Sequence, residues 1–502
     1  MTLAAFSIPG GAAIKSDRAG INKNRAVLWG LAAYFLISIV LRVAVSGTAD
    51  MDESELLVFA QALQPGYGAQ LPLYAWLQYL SFSLFGVNIF ALSMLKYTLL
   101  FSTFVCVMKI ALKVLKDEMG AAIATLSLFL IPQVAWESYR TLSNTVLATF
   151  MAALTLLLFV RLREKPTWAN YILLGAAAGF GMLSKYNYTI FFIAVIAAGI
   201  ATPGFRKTVL AGRSILSLMV MLLIAAPPYA WIVVNLDRAT GSAKKLQALG
   251  GGTFLSDKLL GFGSLIAAWV GYFWPALIVY ALFFFLFKPV RTTSPDEAIH
   301  LLLTRTLMAA FAVCSVLILF FRVTYFKERW LQPLLFFLPV FFIYYLGPRI
   351  DRKRFKGLIA ATMVPAFLAM LTFSGSVLLA SKAGKATRLS PPYRSMASQI
   401  FKDGFKGGTI ITGDHRIGGN FRLFFKGSPI LVPGMMEVPI KSSDPTLVLW
   451  NAEKSEAAPD RLVTYVDELL EVRLDTYGAR YVEKPMLYWE GKTMRLGYYI
   501  IK

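Results

Sequence analysis

About eleven apolar runs, each near the length that crosses a hydrocarbon layer, decide what this chain can become. They fall at residues 26–46, 89–112, 120–136, 144–161, 169–186, 188–204, 214–235, 259–287, 300–321, 331–347 and 357–380. A helix needs about 20 apolar residues to traverse a bilayer core of about 30 Å. Inside that layer a backbone must satisfy its own hydrogen bonds, so such runs are helices. The 502 residues are 57% hydrophobic and 16% charged, against roughly 25% charged in soluble domains. The chain reads as a polytopic α-helical membrane protein.

Charge sets the orientation. The net charge is +22, but the cations sit in short tracts between apolar runs, with no basic, aromatic-interleaved module of the kind that binds nucleic acid. Lys15, Arg18, Lys23 and Arg25 make residues 1–25 a cytoplasmic lead into a retained helix. With that end inside, every inner loop is basic: Lys113/Lys116, Arg161/Arg163/Lys165, Arg206/Lys207/Arg213, Lys288/Arg291 and Arg349/Arg352/Lys353/Arg354/Lys356. An odd span count then puts the tail outside. The expected layout is a transmembrane domain over 26–381, with a first outer loop at 47–88, and an extracytoplasmic domain over 382–502.

That tail changes character. Thr409–Thr412, Ile430–Val432 and Thr446–Trp450 alternate like strands, with a short helix expected near Asn420–Phe425. It reads as a small α/β domain and carries little of the basic excess. Cys106 and Cys314 lie in apolar runs, so no disulfide framework is expected; His300 and His415 stand too far apart for a His-rich metal site.

The first outer loop is the chemical anomaly. Asp50, Asp52, Glu53 and Glu55 sit directly beyond a membrane exit, where an unpartnered carboxylate is costly. Other outer segments carry the opposite charge: Lys185 in LSKYNY, and Arg322, Lys327 and Arg329 in RVTYFKERW. A third, AWESYRTLSN, holds Glu137 and Arg140, and a longer loop at 236–258 holds Arg238, Lys244 and Lys245 before three glycines. Carboxylates facing cations suit a transfer in which a hydroxyl loses a proton while a phosphate departs. Structural readings stand beside this one. Asp52 and Glu53 could cap the next helix, Lys185 and Arg329 could snorkel, and Glu137 and Arg140 could pair along a helix. Asp414, His415 and Arg416 read as turn residues after a strand.

The pieces in order carry a resemblance. One span precedes Asp52-Glu53-Ser54-Glu55-Leu56-Leu57, then Gly66-Tyr67, Pro72-Leu73-Tyr74-Ala75-Trp76-Leu77 and Leu84-Phe85-Gly86. Later come GFGMLSKYNY (179–188) and KERWLQPLL (327–335). This set resembles bacterial GT-C glycosyltransferases related to the protein O-mannosyltransferases and the lipid A aminoarabinose transferase, over roughly residues 26–350. Trp136-Glu137-Ser138, Gln70 and KERWLQP are similar to a rhizobial branch that decorates lipopolysaccharide with uronic acid.

The resemblance implies a GT-C fold and inverting transfer of a sugar from a polyprenyl-phosphate carrier to a lipid or glycan acceptor, at the outer face of the cytoplasmic membrane. Asp52 takes the role of the first-loop catalytic carboxylate, with Glu53 beside it. Lys185, Arg322, Lys327 and Arg329 are the candidates for the carrier phosphate, and Gln70, Tyr74, Glu137, Arg140 and Tyr186 for substrate contacts. Gln70 stands where the family commonly has an acidic residue or His, so no metal ligand is assigned and a divalent metal is left open. A lipid-linked sugar transporter is the alternative. It would need ionisable residues deep in the spans and paired halves, and the spans are largely clean apart from Lys96 and Arg305.

Overall fold

The computed structural model describes residues 11–239, 241, 246–285, 294–346, 352–435, 438–439, 444–453 and 455–501, with side chains of the first helix from residue 24 onward. The expected basic residues Lys15, Arg18, Lys23, Lys244, Lys245, Lys288, Arg291, Arg349, Arg352, Lys353 and Arg354 fall outside the residues or side chains described.

The helices are α1 (Gly11–Val45), α2 (Met51–Phe59), α3 (Leu73–Phe85), α4 (Ile89–Leu115), α5 (Glu118–Leu126), α6 (Ser138–Arg140), α7 (Ser143–Glu164), α8 (Trp168–Met182), α9 (Asn187–Ala201), α10 (Pro203–Val209), α11 (Ser214–Val234), α12 (Leu236–Ala239), α13 (Phe254–Phe285), α14 (Glu297–Phe321), α15 (Glu328–Leu335), α16 (Leu338–Leu346) and α17 (Arg352–Leu378). Three more, α18 (Tyr393–Lys402), α19 (His415–Arg422) and α20 (Asp460–Leu470), belong to the C-terminal domain.

Among the described residues, seven helices are long and apolar enough to cross a membrane, and ten spans result if each of three bent pairs counts as one. The expected eleventh corresponds to α8, which has only 15 residues. The bends have local causes. Thr202 precedes Pro203 and is pushed into extended backbone (φ −91°, ψ 116°), so α9 and α10 meet at 113°. Pro132 falls at the 69° bend between the α5 and α6 segments.

The bundle has two distinct ends. At one, Arg163 pairs with Asp296 at 3.0 Å and Lys113 with Glu164, gathering the basic loops. At the other lie α2, the 141–145 and 183–187 turns and the 322–330 segment. The C-terminal domain sits on this second end.

That domain is a five-stranded mixed sheet in the order β2-β1-β3-β5-β4, with β1 (Thr409–Thr412), β2 (Ile430–Leu431), β3 (Thr446–Asn451), β4 (Arg480–Met486) and β5 (Trp489–Ile501). Pairing is parallel around β1 and antiparallel from β3 through β5 to β4. Strand alternation splits the core in two. Ile410, Ile430, Leu447 and Leu449 face α18 and α19, while Ile411, Leu431, Val448 and Trp450 face α20. Covered on both faces, β1 is buried at every residue. The expected helix near 420–425 lies earlier, at 415–422, because Asp414 caps it by accepting from Arg416 N at 2.8 Å. Val58 of α2 belongs to the domain's core, so the first loop and the C-terminal domain fold as one packed unit.

Candidate functional site

The acidic cluster separates into a structural half and a chemical half. Asp50 is the N-cap of α2, its carboxylate accepting from Met51 N at 2.6 Å, and Glu53 reaches back to Asp50 N at 2.9 Å. This is a capping box. Glu53 also receives Arg42 Nη2 at 2.5 Å and Nε at 3.2 Å, while the remaining Arg42 donors bind Ser46 O and Thr48 O at 2.8 and 2.7 Å. Burial would raise the Glu53 pKa, but Arg42 and Lys96 hold it below the ordinary carboxylate value. Asp50 is pushed the other way by burial and by Glu53. The capping expected of the pair Asp52 and Glu53 is thus performed by Asp50 and Glu53.

Asp52 turns instead to the N-terminus of α7. Its Oδ2 accepts from Leu142 N at 2.7 Å and Ser143 N at 3.3 Å. Leu142 takes a left-handed backbone (φ 71°), which directs these two N–H groups at the carboxylate. The positive end of the α7 dipole favours a carboxylate there. The next two residues hold two further candidates. Asn144 Nδ2 donates to Gln70 Oε1 at 3.1 Å, and Lys185 Nζ donates to Thr145 Oγ1 at 2.6 Å. Tyr74, fully buried, lies beside Ser143 and within electrostatic reach of Asp52. Burial and the nearby Arg329 pull the Lys185 amine down to about 8, with Asp52 acting in the opposite sense. Two hydrogen bonds tie these loops together: Leu73 N donates to Leu183 O at 3.1 Å, and the Asn187 side-chain Nδ2 to Trp330 O at 2.5 Å.

The structure therefore brings together Asp52, Gln70, Tyr74, Lys185 and Arg329 around residues 142–145. The other candidates make different contacts. Arg322 is an exposed C-cap of α14 in left-handed backbone, and Lys327 lies over the rings of Tyr325 and Trp330 at 5.3 and 5.9 Å. Arg140 sits over Trp136 at 5.6 Å, and no ion pair joins it to Glu137 among the described residues. Tyr186 is 40% exposed beside Tyr229.

Three contributors were given no role at the site by the sequence reading. Arg42 is hidden in the first apolar run, where only its charge marks it. Lys96, 2% exposed, donates to Tyr139 O at 3.3 Å behind Glu53, and an ionisable residue inside a span was a signal in itself. The third is α19, which lies against α2 so closely that a Cβ on Gly419 would meet Ser54 O at 2.2 Å. Asn420 accepts from Ala49 N at 2.7 Å and donates to Ser54 Oγ at 3.1 Å, and Arg422 donates to Leu57 O and to Ala60 O. His415, expected to be a turn residue, begins this helix within electrostatic reach of Asp52. Among the described residues no group of three or more His, Cys, Asp or Glu could hold a metal ion.

The family model for dolichyl-phosphate-mannose-protein mannosyltransferase matches residues 65–231, a stretch that includes Gln70, Tyr74, residues 142–145 and Lys185. Lipopolysaccharide core galacturonosyltransferase RgtB of Rhizobium johnstonii is 34% identical over 93% of this chain and 96% of its own length. The chain belongs to the GT-C glycosyltransferases. RgtA, also a lipopolysaccharide core galacturonosyltransferase of Rhizobium johnstonii, is 31% identical over 86% of this chain and 88% of its own. The GT-C fold is shared with ArnT from Cupriavidus metallidurans, solved bound to undecaprenyl phosphate, at a TM-score of 0.58 and 12% identity over 93% of this chain and 97% of that one.

For a GT-C enzyme, the geometry offers two chemistries side by side. A carboxylate fixed through one oxygen leaves the other to accept a proton. A half-buried amine and a guanidinium can neutralise a departing anion.

Proposed function

We propose that this protein transfers a uronic acid, with inversion, from a polyprenyl-phosphate carrier to the core of lipopolysaccharide at the outer face of the cytoplasmic membrane. The sugar and acceptor follow the activity named for both relatives. The observation that carries the reading is Asp52 fixed at the α7 N-terminus in electrostatic reach of Lys185, which has Arg329 beside it.

The described hydrogen bonds to Asp52 fall on Oδ2, so Oδ1 takes the proton of an acceptor hydroxyl. The hydroxyl oxygen attacks the anomeric carbon, and the bond from that carbon to the phosphate oxygen breaks. Lys185 and Arg329 receive the resulting polyprenyl phosphate. Gln70 and Tyr74 line the acceptor side. Glu53 holds α2 in place rather than reacting.

The test is transfer from a radiolabelled polyprenyl-phosphate uronic acid to lipopolysaccharide by purified protein in detergent. Label in the glycolipid supports the reading. No transfer from any such donor, with label crossing the bilayer in proteoliposomes, would instead favour a transporter.

A further inference from the structure

Away from Asp52, a cleft of about 510 Å³ opens in the C-terminal domain, lined by Arg394, Ser398, Phe401, Lys406, Lys426 and Ser428 among others. It joins α18 to the turns before β1 and β2. Two of its three cations rest on aromatic faces: Lys406 lies 4.5 Å from the Phe401 ring centroid and Arg394 5.9 Å from that of Phe424. Such faces hold a long side chain in place without neutralising it. Among the described residues, no ion pair includes Arg394, Lys406 or Lys426. Three unneutralised cations around one concavity focus positive potential where an anion fits.

Its place in the fold gives that charge a use. Phe424, on the cleft wall, packs against both the bundle core and the sheet core, so the cleft lies at their seam. Arg422, two residues earlier, lies over Phe82 of α3 at 5.4 Å. The cleft is thus one helix away from the reacting carboxylate: α19 has His415 in reach of Asp52 at one end and runs into Phe424 and Phe425 at the other. The eight residues of α19 span about 12 Å.

We propose that this cleft is an anion subsite for the acceptor glycolipid, holding a phosphate or carboxylate group while a hydroxyl elsewhere on the same molecule reaches Asp52. The proposal rests on the glycolipid reading above. It gives the C-terminal domain a task in substrate selection.

The test compares wild type with Arg394→Ala/Lys406→Ala/Lys426→Ala, after matched unfolding midpoints show both are folded. The probes are deep-rough lipopolysaccharide and the same material dephosphorylated and carboxyl-reduced, with the protein in nanodiscs of phosphatidylcholine or of phosphatidylglycerol. Wild type should bind intact glycolipid about tenfold more tightly than the stripped form, and the triple variant should lose that preference. The acceptor KM should rise about tenfold in the variant, with kcat and donor KM within about twofold. Equal glycolipid binding by both proteins would overturn the proposal. So would a difference that follows phosphatidylglycerol and not the glycolipid, which would make the cleft a contact for bulk membrane lipid. If the binding preference stands but no sugar is transferred, the transfer reading fails and the anion subsite survives.

Discussion

Arg42 and Glu53 form an ion pair at the membrane exit, Nη2 to Oε2 at 2.5 Å, with side chains only 1% and 5% exposed. The pair fastens the end of α1 to the first turn of α2, and Glu53 is at once the partner of Arg42 and the return arm of the α2 capping box. Its neighbour Asp52 points out of this buried assembly to α7. Adjacent carboxylates thus have separable roles.

The first prediction follows from that separation. Glu53→Gln leaves Arg42 buried without its anion, and breaking such a pair costs about 3–5 kcal/mol. Asp52→Asn keeps an oxygen for the α7 N–H groups and should cost under about 1 kcal/mol. Unfolding midpoints of the two variants check this. Equal destabilisation would remove the distinction between the residues.

Lys185 gives a pH dependence with a definite sign. Its amine, pulled down to about 8, is charged below that pH and loses its charge above it. Its contribution to receiving a phosphate is therefore present at neutral pH and lost on the alkaline side. kcat/KM should fall as pH rises through about 8. In Lys185→Arg the charge persists, and the alkaline limb should move out of range. A wild-type profile flat to pH 10 would contradict the assignment.

The cations of the 322–330 segment should not be equivalent. Arg329→Ala removes a charge beside Lys185 and should weaken donor use by about 1.5–3 kcal/mol in kcat/KM. Lys327, over Tyr325 and Trp330, and exposed Arg322 should each tolerate alanine with less than about threefold loss. Donor kinetics on the three variants decide between a specific role for Arg329 and a diffuse basic surface.

Asn420 bridges the domains, and Asn420→Ala orphans Ala49 N, while Ser54 Oγ loses one bond and keeps its bond to Asp50 O. Each buried group left without a partner costs about 1–3 kcal/mol. The loss should appear as faster proteolytic release of the C-terminal domain under limited digestion. An unchanged cleavage rate would mean that packing and the Arg422 hydrogen bonds hold α19 to α2 without Asn420.

Much of this was legible in the sequence for physical reasons. Membrane-length runs must be helices, so the bundle was readable from hydropathy, and the basic loops from charge. Asp52 and Lys185 stood out because each is an ionisable group at a membrane exit. What was not legible depended on long-range contact. That Glu53 faces Arg42 while Asp52 faces Leu142 depends on how α2 turns, and hydropathy does not encode that. Gln70 departs from the family pattern, and its partner Asn144, 74 residues away, could not be read from spacing. The β4–β5 hairpin escaped because its partly exposed strands lack a strong apolar period. Glu137 and Arg140, for which pairing along a helix was one reading, share no ion pair among the described residues, and Arg140 lies over Trp136.

As the proposed base, Asp52 should be indispensable for transfer and dispensable for carrier binding. Sugar transfer and polyprenyl-phosphate binding are measured on folded Asp52→Asn beside wild type. Loss of a positioned base should lower kcat by about 100-fold or more, with carrier binding within about twofold, because the cations are untouched. Transfer near the wild-type rate by a folded Asp52→Asn protein would contradict the account.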